Sequence, residues 1–104
     1  MARNDAIFRE ANERIEEAAQ QLDHPEQVPF ICECADLSCR EIVRLTVSEY
    51  EDVRSSPVRF AVMPGHELEG TEFEQVIARR PEYFVVEKRA EAAPLAAELD
   101  PRKD

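Results

Sequence analysis

A chain of 104 residues with 23 acidic and 13 basic side chains carries a formal net charge of −10. The acidic excess holds in residues 1–28, 29–89 and 90–104 alike, so no basic patch is available to neutralise phosphates, and direct nucleic-acid binding and adhesion to an anionic membrane are excluded. This length fits one domain with a modest core, for which a metal staple would matter.

The start, Met1-Ala-Arg-Asn-Asp5, opens no apolar run, and no stretch approaches the ~18 apolar residues of a membrane span, so neither a signal peptide nor a transmembrane helix is expected. Residues 5–22 show helical periodicity: Phe8, Ala11, Ile15, Ala18 and Leu22 recur at spacings of 3 and 4, with Ile7 and Ala19 widening the stripe. Asn4 or Asp5 can cap the start, Arg9–Glu13 and Glu10–Arg14 are i,i+4 pairs, and His24-Pro25 ends the helix. Such a helix packs either on its own domain or on a second copy or partner, which leaves a homodimer open.

Val28 to Cys34 reads as a strand entering a loop, and Glu41 to Thr46 as a second strand. Thr46-x-x-Glu49 is a capping box opening a short helix at 47–55, with Val47, Tyr50 and Val53 on one side. Tyr50 is expected in the core, with Glu49 and Arg54 on a solvated face. Val58, Phe60 and Val62 alternate with Arg59 and Ala61 as in a strand, and Met63-Pro64-Gly65 turns the chain before His66. Residues 67–72 form an acidic loop. Phe73 to Arg79, then Arg80-Pro81-Glu82 and Tyr83 to Val86, read as a hairpin. Arg79-Arg80 and Glu87-Lys88-Arg89 are expected to be solvated. From Ala90 the chain is rich in Ala and Glu and broken by Pro94 and Pro101, and residues 90–104 are expected to be a mobile tail. The expected fold is α+β: an N-terminal helix (1–27) and a zinc-binding domain (28–89) with a small, mostly antiparallel sheet of four to five strands, one short helix and a metal-stapled loop.

Cysteine usage gives the sharpest signal. Three cysteines, Cys32, Cys34 and Cys39, fall within eight positions as C-E-C-x4-C, with His66 behind a Pro-Gly turn. An odd number of cysteines, two of them one residue apart, suits a reducing cytoplasm better than a disulfide framework. Cys-x-Cys places two sulfurs on one side of the chain, a loop through Ala35, Asp36, Leu37 and Ser38 can return Cys39 to them, and His66 completes the tetrahedral set that structural zinc prefers. His24, Asp36, Glu67, Glu69 or a water compete for the fourth position. Three thiolates and one imidazole also suit an iron–sulfur cluster, although the 26 residues between Cys39 and His66 are long for that pattern.

Four protein ligands leave no open position on the metal, which argues against catalysis. Were His66 not a ligand, Glu33 or Glu67 would be the candidate general base. The alternative enzyme class, a Cys39 nucleophile beside Arg40 with His66 as base, would leave Cys32 and Cys34 without a role. No enzymatic activity is expected.

The runs FICECADLSCREIVRLTVSEYEDVRSSPVRFAVMPGHE and VIARRPEYFVVEK resemble a family of small uncharacterised bacterial proteins with the pattern C-E-C-A-D-x-x-C, L-T-x-x-E-Y-E-x-V-R, R-F-x-V-x-P-G-H-E and a closing V-V-E-K. The resemblance spans roughly residues 8–89. It implies a free-standing domain in which Cys32, Cys34, Cys39 and His66 are the anchors, and it says nothing of activity. The function expected is that of a cytoplasmic, zinc-binding accessory or regulatory protein acting through protein contacts, the N-terminal helix being the contact surface. A redox- or metal-responsive switch built on the same four residues is the competing class.

Overall fold

Alternating or continuous runs of β-branched and aromatic residues between turn signals produce five short strands, and three helices pack around them. The computed structural model describes residues 2–21, 26–34, 36, 38–67 and 72–102. In chain order these form α1 (Ala2–Gln21), β1 (Val28–Ile31), β2 (Ile42–Leu45), α2 (Val47–Val53), β3 (Arg59–Val62), β4 (Glu74–Arg79), β5 (Phe84–Lys88) and α3 (Ala92–Glu98). The class is α+β as expected, but the strands divide between two antiparallel sheets, β1–β2 and β3–β5–β4, rather than one. None of the described helices is long and apolar enough to cross a membrane.

The hairpin expected from Arg80-Pro81-Glu82 is β4–β5, with Glu74 opposite Lys88 and a bulge between Val76 and Ala78. Phe60, Ala61 and Val62 of β3 are all buried, because β3 is covered on both faces and the period-2 pattern loses its polar side. The core joins Phe30, Val43 and Leu45 of the first sheet to Phe60, Val62, Val85 and Val86 of the second, with Tyr50 stacked on Phe30 at 4.4 Å between ring centroids.

The capping box forms as read: the Glu49 N–H donates to Thr46 Oγ1 at 3.0 Å and the Thr46 N–H to Glu49 Oε1 at 2.8 Å. Thr46→Ala is expected to lower stability by about 1 kcal/mol, read as a shift in urea midpoint at unchanged slope.

The N-terminal helix differs from expectation in extent and facing. It starts at Ala2, so Asn4 and Asp5 lie inside it rather than at its cap. Leu22, His24 and Pro25 lie outside the described residues. Its buried side is not the stripe Phe8–Ala11–Ile15–Ala18; Ala18 is exposed, and the buried residues are Arg9, Asn12, Glu16 and Ala19. These four also recur at spacings of 3 and 4, one position along, so the helix docks through polar groups. It packs on its own domain, against β1 and α3. Only Glu10–Arg14 forms the expected i,i+4 pair, at 3.7 Å on the surface.

The segment expected to be a mobile tail carries a helix in its described part. Helix α3 buries Ala96, and Asp100 and Arg102 tie the end of the chain to α1 and α2. Pro94 sits within the first turn, where a missing N–H costs nothing, so it does not break this helix. Arg54, expected on a solvated face, is 5% exposed and pairs with Glu13 at 3.2 Å and Asp100 at 2.5 Å. Lys88 is likewise buried, paired with Glu74 at 2.5 Å. Both corrections share a cause: a long cation can be buried when a carboxylate meets it, brought from a distant segment for Arg54 and from across the hairpin for Lys88.

Glu16 is the titratable group with the clearest consequence. Its carboxylate accepts from Arg102 at 2.8 Å, yet burial, reinforced by the hydrogen bond and charge of Glu51, pushes its pKa from 4.5 up to about 8. Across that window the folded chain holds a proton that the unfolded chain has lost, so this group's contribution to stability falls as pH rises towards 8. Glu16→Gln removes the titration. Urea midpoints of the two proteins should approach each other below about pH 4.5 and separate progressively up to about pH 8, with the variant the more stable.

Candidate metal centre

Beyond Ile31 the chain threads between the two sheets. The Cys32 N–H donates to the Glu41 carbonyl at 3.1 Å, continuing the β1–β2 ladder, and the Glu33 N–H donates to the Ala61 carbonyl at 2.9 Å, joining it to β3. Side chains alternate along such an extended segment, so Cys32 and Cys34 share one side and Glu33 takes the other.

Two turns bring the remaining ligands. Asp36 Oδ1 accepts from the Ser38 N–H at 2.9 Å and the Ser38 hydroxyl at 2.6 Å, and the Asp36 carbonyl accepts from the Cys39 N–H at 3.0 Å. This Asx-type arrangement aims Cys39 back at the first two cysteines. The Met63 carbonyl accepts from the His66 N–H at 2.9 Å across Pro64-Gly65, and Gly65 has φ +96°. Proline at the first central position and a positive-φ glycine at the second make a type II turn. An added Cβ would meet nothing at Gly65, so backbone conformation, not space, calls for glycine there.

The result is a single cluster. One donor atom from each of Cys32, Cys34, Cys39 and His66 lies within 4.8 Å of the others. The imidazole presents Nδ1, 3.4 Å from Cys39 Sγ and 3.7 Å from Cys32 Sγ. A tetrahedral ion with bonds of about 2.3 Å to sulfur and 2.0 Å to nitrogen requires a sulfur–nitrogen edge of about 3.5 Å, which these distances bracket. The three sulfurs are buried and free of disulfides, and His66 is partly exposed. The Met63 N–H donates to Cys32 Sγ at 3.1 Å, a contact that favours a thiolate. Without a cation, burial pushes the Cys32 and Cys34 thiols well up from the usual thiol range, so binding a metal ion here is coupled to proton release.

All four residues singled out in the sequence are thus brought together. His24, Glu69, Ala35 and Leu37 lie outside the described residues. Asp36 offers its oxygen to Ser38, and Glu67 accepts from the Gly65 N–H at 2.7 Å, so both serve their own turns.

Glu33 corrects the reading of it as a loop acid or general base. It is 0% exposed, and its carboxylate accepts from Asn12 Nδ2 at 2.9 Å, the Tyr50 hydroxyl at 2.8 Å and the Ala61 N–H at 3.1 Å, with Arg9 Nε 4.0 Å away. Burial, then the charge of Glu33, holds the Tyr50 hydroxyl protonated far above the usual phenol range. The Arg9 guanidinium carbon sits over the Phe60 ring, 3.6 Å from the ring centroid, and Arg9 donates to the Pro57 carbonyl at 2.8 Å. This buried network was missed. The signal for it was the 3–4 spacing of the polar residues Arg9, Asn12 and Glu16 on one helix.

No family model, curated protein or solved structure matches the chain. The Cys3His cluster is compatible with a bound metal ion on geometry and donor chemistry alone.

Proposed function

We propose that the chain is a small zinc-binding accessory or regulatory protein in which Cys32, Cys34, Cys39 and His66 hold one structural zinc ion, and which acts by contact with another protein. The observation that carries this reading is the closure of four donors, three of them buried sulfurs, around one point. Thiolate-rich tetrahedral sets suit zinc, and a full set of protein ligands is the mark of a structural rather than a catalytic site. The site ties the end of β1 to the turn after β3, which is where a small two-sheet core gains most from a staple. The acidic surface favours a partner with basic patches.

Elemental analysis with a visible spectrum, on protein purified without chelator, tests the assignment. One equivalent of zinc and a colourless solution support it; iron with visible absorbance replaces it with an iron–sulfur reading. Metal-free protein of unchanged stability overturns it. The partial exposure of His66 favours one alternative, a switch that gives up its metal on oxidation of the cysteines. Release of zinc by mild peroxide, reversed by a thiol reductant, distinguishes that switch from a permanent staple.

A further inference from the structure

Helix α1 docks in an unusual way. Among its described side chains the fully buried ones are Arg9, Asn12, Glu16 and Ala19, with Ile15 partly buried against the core, so most of its buried contacts are polar. Apolar contacts tolerate small displacements, whereas hydrogen bonds weaken steeply with distance and angle. The seat of α1 therefore depends on where its polar partners are held.

Two of those partners belong to the metal loop. Asn12 accepts from the Ile31 N–H at 2.7 Å and donates to the Ile31 carbonyl at 2.8 Å, closing the edge of β1 that faces away from β2. The same amide donates to Glu33, whose neighbours on both sides, Cys32 and Cys34, are ligands of the cluster. One helix side chain thus grips the residue before the site and the residue between two of its sulfurs.

We propose that Asn12 and Glu33 are positioning residues that couple occupancy of the Cys3His site to docking of α1, so that loss of the metal frees the helix while the β3–β5–β4 sheet stays folded. This rests on the zinc reading above. With metal, both flanks of Glu33 are pinned and its carboxylate stands where Asn12 and Arg9 require it. Without metal, Cys32 and Cys34 lose that restraint, and the polar seat of α1 loses its geometry. Coupling of this kind is reciprocal: whatever removes α1 weakens the metal by the same factor. A partner that captures α1 would then draw zinc from the site, and zinc would oppose that partner.

Hydrogen exchange read by mass spectrometry on the full chain, with zinc saturating and with zinc chelated, tests this in the wild type. A zinc titration of wild type and Asn12→Ala is run alongside. In chelated protein, α1 amides are expected to exchange at least tenfold faster than those of β5, and saturating zinc should bring the two together. Asn12→Ala, which touches no ligand, is expected to weaken zinc binding about ten- to a hundredfold, as loss of an outer-shell partner does. One equivalent of zinc bound, with α1 and β5 changing in step on chelation or with wild-type zinc affinity in Asn12→Ala, overturns the coupling and leaves the metal site standing. Failure of the wild type to bind zinc overturns both. The comparison of α1 with β5 needs no variant, so it decides the question even if Asn12→Ala does not fold.

Discussion

On the zinc assignment proposed above, Cys34→Ser is expected to abolish metal binding and remove about 4 kcal/mol or more of stability, the contribution of a ligand present at roughly a thousand times its dissociation constant. In a domain of this size that is a fall in melting temperature of roughly 20 °C or more. The reason is geometric. Cys34 is one of three buried sulfurs in a set of four, and a serine oxygen is both a poorer zinc ligand and a shorter arm. The measurement is a thermal or urea unfolding curve on the zinc-loaded wild type, the chelated wild type and the variant. Chelated wild type and Cys34→Ser should coincide. A variant that melts with the zinc-loaded protein would show that the cluster contributes nothing to the fold.

Glu33→Ala should be at least as damaging, for a reason unrelated to metal ligation. Its carboxylate accepts three hydrogen bonds inside the protein and faces Arg9, which is 1% exposed. Truncation leaves an uncompensated buried guanidinium, and breaking a buried ion pair in this way costs about 3–5 kcal/mol. It also strands the Tyr50 hydroxyl and the Ala61 N–H, each a further loss of about 1–3 kcal/mol unless water enters. Glu33→Gln keeps one acceptor oxygen for Tyr50 and Asn12 but loses the charge and turns an NH2 donor towards the Ala61 N–H, so it should recover only part of the deficit. Urea midpoints of the three proteins provide the test. Equal stability of Glu33→Ala and wild type would show that the network contributes nothing net.

Glu33 also marks the boundary of what local sequence can say. Read in line, an acid between two cysteines and followed by Asp36 and Ser38 looks like a solvated loop. The backbone there is held between two sheets, and strict alternation sends the glutamate inward because the sulfurs go the other way. Arg9, Arg54 and Lys88 tell the same story with the sign reversed. Each is a cation buried by a carboxylate 14 to 46 residues away along the chain, or by a carboxylate and an aromatic ring together. Pairing of Arg9 with Glu33 and of Arg54 with Asp100 is a product of topology, whereas Glu74 and Lys88 meet across the β4–β5 hairpin.

The end of the chain shows a related limit. Alanine-rich composition and two prolines suggested a tail, because alanine buries little area of its own. In the fold, Ala96 is buried on a helix that packs against α1 and β5, and Asp100 and Arg102 find Arg54, Glu13, Glu16 and Glu51. Small residues pack well only against a surface that already exists, and that surface is built by other segments.

By itself the sequence determined the α+β class, the capping box at Thr46, the β4–β5 hairpin and the four residues that meet in the Cys3His cluster. Each of these rests on short-range chemistry: a side chain meeting its own backbone three residues on, turn residues between β-branched runs, and soft ligands too clustered for chance. Only the tertiary structure decided that the strands divide into two sheets, that α1 turns a polar face inward, and that Glu33 joins the metal loop to that helix. Those outcomes depend on which distant groups satisfy one another once water is excluded, and a buried polar group is placed by its partners rather than by its neighbours in the chain.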